Sequence, residues 1–248
     1  MGVFVGGDDS LAMILQEWQM DCMVKRPYTN IVLAIPHSSG RSPGGMDAIW
    51  EGNPKVVRER DRFTDWFTDE LFAASHDGVS VVVERLSRFD CDVERLEGEP
   101  DRICKHTLLG RTEALASCRN RMLSAWFDYR ARLMAAAARG ERPLIIDCHS
   151  FPSDLAPDVD VCLGFNEDES RPPDDVLAAV ASVFERADYA VAFNRPYANA
   201  IAPVGYVGHS IMIEVGKRCY MDRAEQRKGP GFDRLAATIR HVYQSLLG

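Results

Sequence analysis

Six short apolar runs punctuate the chain, separated by longer stretches in which apolar positions return every three or four residues. The runs are Ile31–Ile35 (IVLAI), Val79–Glu84 (VSVVVE), Leu144–Cys148 (LIIDC), Val159–Phe165 (VDVCLGF), Tyr189–Phe193 (YAVAF) and Ile211–Val215 (IMIEV). Val and Ile dominate them, and most do not alternate with polar residues. This pattern predicts strands buried on both faces of a mixed, mostly parallel sheet. The intervening stretches read as helices. Asp61–Ser75 carries Phe63, Trp66, Phe67 and Leu71 at helical spacing; Arg111–Arg139 is rich in Ala, Leu and Arg and stops at Gly140; Asp174–Arg186 and Phe232–Leu247 complete the set. The expected architecture is a three-layer α/β/α domain. No repeat and no long Pro/Gly/Ser linker divides the chain, so one domain over residues 1–248 is expected. In residues 1–30, Leu11, Ile14, Leu15 and Trp18 have helical spacing, which predicts a helical extension docked on that domain, with a second subunit as the alternative.

Composition narrows the function classes. The 248 residues include 29 Lys and Arg against 37 Asp and Glu, giving a net charge of −8. Such a surface argues against a general nucleic-acid binder. No apolar run approaches the roughly 20 residues of a membrane helix, and the start of the chain lacks the basic and apolar pattern of a signal peptide. Seven Cys without paired spacing suit reduced thiols. The expectation is a cytoplasmic protein with no membrane or nucleic-acid partner, either a monomer or a small homo-oligomer.

Ligand sites in open α/β sheets gather beyond the carboxyl ends of the strands. His37 follows the first run in Pro36-His37-Ser38-Ser39-Gly40, and His149 follows the third in Asp147-Cys148-His149-Ser150. One such His would serve as readily to cap a strand; two at equivalent places point to a shared site. A catalytic zinc takes three protein ligands and leaves a fourth position open. Asp61, Asp65 and Asp69 are spaced four apart on the expected helix 61–75, so either Asp65 or Asp69 can complete a His/Asp/His set, the rest being a solvated acidic face.

Glu214 sits inside the apolar run IMIEV. A carboxylate there reads either as a general base with raised pKa or as half of a buried ion pair. Arg85, Arg88 and Arg95 cluster after the second run in ERLSRFDCDVER, with Asp92 placed to orient one of them, and Arg195 follows the fifth run in Asn194-Arg195-Pro196-Tyr197. Arginines grip carboxylates through paired hydrogen bonds, so these suit an acidic substrate, with surface ion pairing as the alternative use. Other chemistries lack their signatures: there is no CxxC, no GxSxG and no phosphate-binding glycine loop.

Taken in order, these segments resemble the N-formylglutamate amidohydrolase (deformylase) family. The matching pieces are Pro36-His37-Ser38-Ser39-Gly40, Asp65-Trp66-Phe67-Thr68-Asp69-Glu70-Leu71-Phe72, Arg88…Asp92…Arg95, Asp147-Cys148-His149-Ser150, Asn194-Arg195-Pro196-Tyr197, and Ile213-Glu214-Val215 through Tyr220-Met221. The resemblance implies a phosphorylase/hydrolase-like fold related to zinc carboxypeptidases and aspartoacylase-like deacylases. It further implies one Zn2+ per chain on His37, Asp65 and His149, with Asp69 as the alternative to Asp65. Glu214 and Arg88 would be catalytic, and Arg95, Asp92, Asn194, Arg195 and Tyr197 would bind a small acidic N-acyl amino acid, N-formyl-L-glutamate first.

Three positions depart from the family pattern. Its Asp-x-Asn-Arg is Asp92-Val93-Glu94-Arg95 here, an expected Tyr-His is Tyr129-Arg130, and the Gln two before the late Glu is Met212. Glu94 therefore opens a second reading, another N-acyl amino acid or a short peptide, because it repels a dicarboxylate or selects a basic group. A non-catalytic binding protein on the same fold is the reading from another class.

Overall fold

In a computed structural model, residues 27–42, 54–95, 112–222, 224, 225 and 227–247 are described. Leu11, Ile14, Leu15 and Trp18, and with them the expected helical extension, lie outside these residues. Six strands form one sheet: β1 (Asn30–Ile35), β2 (Val79–Val83), β3 (Pro143–Phe151), β4 (Val161–Gly164), β5 (Val191–Phe193) and β6 (His209–Gly216). Their spatial order is β2-β1-β3-β6-β4-β5. Neighbours pair in parallel except β4 and β6, which are antiparallel, so the sheet is mixed and mostly parallel. Strands β1 and β3 are buried at every position, and β6 at all but its first.

Alternation sorts each strand between two cores. Ile31, Leu33, Ile35, Ile146, Cys148, Ile211, Ile213 and Val215 face α4 (Asp174–Arg186) and α5 (Phe232–Leu246). Val32, Ala34 and Ile145 face α3 (Thr112–Ala137), which covers them with Trp126, Tyr129 and Leu133. Helices thus close both faces, as expected. Among the described residues no helix is long and apolar enough to cross a membrane.

Two local expectations need correction. Strand β3 runs three residues past Cys148, so His149 lies within the strand, paired in register with Glu214. The expected helix over 61–75 is broken into α1 (Pro54–Phe63) and the single-turn α2 (Thr68–Leu71). The Thr64 hydroxyl donates to the Arg60 carbonyl at 2.7 Å and closes α1. Asp65 donates its backbone N–H to the His37 carbonyl at 2.9 Å, and Phe67 takes φ 63°. Asp61, Asp65 and Asp69 therefore do not form one stripe. Gly40 helps to seat this bend, because a Cβ there would meet the Trp66 ring at 2.7 Å.

Candidate active site

Strands β1, β3 and β6 are adjacent and parallel, so their carboxyl ends open on one edge of the sheet. His37 stands two residues beyond β1, His149 near the end of β3 and Glu214 near the end of β6, all buried. The two imidazole rings lie 5.1 Å apart. Asp65 enters from the bend between α1 and α2, with Oδ2 3.0 Å from His149 Nδ1 and 3.8 Å from His37 Nδ1.

The opposite ring edges meet other carboxyls. His37 Nε2 lies 2.9 Å from Asp92 Oδ1 and 3.4 Å from Glu94 Oε2. His149 Nε2 lies 2.8 Å from Glu94 Oε1 and 3.1 Å from Asp147 Oδ1. Asp147 and His149 are two apart on one strand and so share a face. The second Asp147 oxygen accepts the Ile201 backbone N–H at 2.9 Å. Arg95 and Arg88 reach Asp92 Oδ2 at 3.0 and 3.6 Å.

Burial and charge shape the titration of the cluster. Burial drives the Glu214 carboxyl up to about 8, although the neighbouring His149 charge opposes it. Burial, then the charge of Glu94, raises Asp147 to about 7. Burial favours neutral His149, but Glu94, Asp147 and the hydrogen bonds to Asp147 and Asp65 outweigh it and raise its pKa well above the usual value. His37 moves down through burial and the Arg88 charge, against Glu94 and Asp92. For Asp92, burial is overcome by His37 and Arg88, which hold it well below the carboxylate range.

Several of the expected site residues thus converge: His37, Asp65, His149, Glu214, Arg88, Asp92 and Arg95. Tyr197 stands at the margin, 41% exposed, its phenol raised by burial and by the Glu214 charge. Three others are placed elsewhere. Asp69 pairs with Arg85 at 3.1 Å on the surface. Arg195 forms an exposed pair with Asp158 at 2.7 Å. Asn194, at φ 51°, uses its Oδ1 to accept the Phe165 N–H.

Two members of the cluster were not singled out as site residues by sequence. Asp147 was visible in principle from its two-residue spacing to His149. Glu94 had stood out only as a departure from the family pattern, yet its carboxylate bridges both histidines. The group His37, Glu94 and His149 has ligand atoms within 4.8 Å of one another.

The donor set suits a divalent cation. Among the described contacts, buried His37 Nδ1, Asp65 Oδ1 and Glu214 Oε2 have no hydrogen-bond partner. Burying such groups unsatisfied costs roughly 1–3 kcal/mol each. With Nε2–H directed at Asp92, His37 presents a lone pair at Nδ1, the form a metal requires. Nitrogen and carboxylate oxygen together are ligands that zinc accepts. Five carboxyl groups, Asp65, Asp92, Glu94, Asp147 and Glu214, surround this space, with Arg88 and Arg95 as its guanidinium groups.

Imidazoles, carboxyls and two guanidinium groups gathered at the strand ends of an α/β sheet are groups that suit hydrolytic chemistry. A model of the N-formylglutamate amidohydrolase family matches residues 29–221, and the chain belongs to that family. It is an amidohydrolase. The crystal structure of N-formylglutamate amidohydrolase from Ralstonia eutropha JMP134 is similar with a TM-score of 0.69 and 20% identity, over 88% of this chain and 92% of that one. Gene product Atu2144 from Agrobacterium tumefaciens gives a TM-score of 0.59 and 19% identity over the same shares. At these identities the likeness extends to the fold. No curated protein matches the chain.

Proposed function

We propose that this protein hydrolyses the amide bond of a small N-acyl amino acid with the help of one zinc ion, N-formyl-L-glutamate being the reference substrate. The observation that carries the reading is the buried set of unpartnered His37 Nδ1, Asp65 Oδ1 and Glu214 Oε2, set among carboxyls and arginines in an amidohydrolase. His37, Asp65 and His149 hold the ion, because Asp65 alone approaches both Nδ1 edges while carboxyls engage both Nε2 edges. When bound, zinc polarises a carbonyl and lowers the pKa of water.

The chain's own groups do the rest. Glu214 takes a proton from the attacking water and passes it to the departing amine nitrogen, so water is consumed and a carboxylic acid and an amine are released. Its raised pKa, about 8, suits a group that must both take and give a proton near neutrality. Arg88, half-buried beside Glu214 and Asp65, stabilises the negative charge that grows on the carbonyl oxygen. Arg95, about one-third exposed at the edge of the cluster, holds the α-carboxylate of the substrate. Tyr197 covers the mouth. The Asp158–Arg195 pair and the Asn194 turn support the loop that carries Tyr197 rather than touching substrate.

The direct test is formate release from N-formyl amino acids by the zinc-loaded protein, with the metal-stripped protein alongside. Release that depends on zinc supports the reading. An inert zinc-loaded protein across N-formyl, N-acetyl and dipeptide substrates contradicts it.

A further inference from the structure

Glu94 is the acid of the cluster that a substrate would meet first. Asp65 and Asp92 have side chains only 1% exposed, whereas the Glu94 side chain is 22% exposed, next to Arg95 at 34% and Arg88 at 17%. Both arginines are turned to Asp92. Each keeps one buried Nε without a hydrogen-bond partner, so with Arg88 assigned to the carbonyl oxygen, Arg95 offers a place for one carboxylate. The other described cations near the cluster are engaged elsewhere, Arg62 with Asp154 and Lys217 with the Arg62 carbonyl, and Glu94 is the partly exposed acid beside Arg95. Its Oε1 accepts from His149 Nε2 at 2.8 Å, while Oε2 lies 3.4 Å from His37 Nε2 and keeps lone pairs for another donor.

The turn that carries Glu94 is held firmly from α3. The Arg130 guanidinium stacks 3.8 Å over the Trp126 ring, donates to the Val93 carbonyl, and donates to the Arg95 carbonyl at 2.8 Å. Trp126 Nε1 donates to that same Arg95 carbonyl at 2.8 Å. Glu94 lies between the two clamped carbonyls, so the backbone does not carry it out of the mouth when an anion arrives.

We propose that the site prefers N-acyl amino acids with a single carboxylate and a side chain that donates hydrogen bonds or carries positive charge, and that Glu94 sets this preference. The inference rests on the amide-hydrolysis reading above and narrows its substrate class. A glutamine-type amide or an arginine- or lysine-type cation satisfies Glu94, whereas a glutamate-type side chain meets like charge.

Binding and turnover separate the two claims. Calorimetry of N-formyl-L-glutamate, N-formyl-L-glutamine and N-formyl-L-arginine is done on the zinc-loaded Glu214→Gln protein, so that ligands are held and not consumed. The glutamine and arginine derivatives should bind at least tenfold more tightly than the glutamate derivative. Tight binding of both marks a donor requirement, and of arginine alone a charge requirement. Adding Glu94→Gln, or Glu94→Asn should the first not fold, should shrink that gap to less than threefold or reverse it. Equal or tighter binding of the glutamate derivative, no binding of any derivative, or a gap unmoved by either Glu94 variant overturns the inference. Formate release by the wild-type protein is scored separately: the stated binding preference without release from any derivative keeps the inference and removes the hydrolysis reading.

Discussion

Asp65 and His149 are 84 residues apart in the chain and meet with Oδ2 3.0 Å from Nδ1. The contact exists because Asp65 is not helical. Its backbone N–H is committed to the His37 carbonyl, and the left-handed Phe67 turns the chain so that the carboxylate enters the sheet edge. One residue thereby links the ends of β1 and β3. Behind it, buried Lys217 donates through Nζ to the Arg62 carbonyl and secures the end of α1.

Asp65→Asn should weaken zinc binding by roughly 100-fold or more, since it replaces the charged oxygen between the two imidazoles. Asp69→Asn should leave zinc affinity unchanged, because Asp69 serves a surface pair with Arg85. Chelator competition measures both. The opposite ranking would move the ligand role to Asp69.

Glu214→Gln should retain zinc and lose about 10²–10⁴-fold in kcat, the span of general-base catalysis. It also carries a stability signature. Glu214 has a folded pKa of about 8, above the ordinary 4.5, so the folded state binds the extra proton between these values. Its contribution to stability is intact below pH 4.5 and is lost as pH rises through 8. The metal-free variant should therefore be more stable than metal-free wild type at pH 9, by an amount on the order of a few kcal/mol, and no more stable at pH 4. Urea unfolding at the two pH values checks the sign.

Much of this arrangement was legible in the sequence, and the exceptions have physical causes. Runs such as IVLAI and LIIDC are apolar at consecutive positions because both faces of β1 and β3 are covered, and the same logic exposed Glu214 as an anomaly in β6. Strand ends in turn pointed to His37 and His149. The break at 64–67 was not legible, because local spacing favours a helix and a long-range bond from Asp65 to His37 overrides it. The place of Glu94 depends on Trp126 and Arg130, more than 30 residues later, and no local pattern encodes that contact.

Arg130→Ala should lower stability by about 2 kcal/mol, because it removes two charge-assisted bonds to carbonyls and the stack on Trp126. It should also raise KM more than it lowers kcat, since it frees the turn that carries Glu94 and Arg95. Urea unfolding and steady-state kinetics read the two effects. An unchanged KM would show that the clamp does not position the substrate.

Arg95→Ala should raise KM at least tenfold for any carboxylate-bearing substrate, whereas Arg195→Ala should leave kcat/KM within about twofold, as expected for an exposed ion pair. Steady-state kinetics on the two variants decide which arginine holds the substrate.

Metal content of the purified protein, beside folded His37→Ala and His149→Ala variants, tests the central claim most directly. The account predicts one zinc ion per chain in the wild type and loss of that ion in both variants. A wild-type protein that holds no metal and takes up none from added zinc would contradict it, and would return the two histidines to hydrogen bonding with Asp65, Asp92 and Glu94.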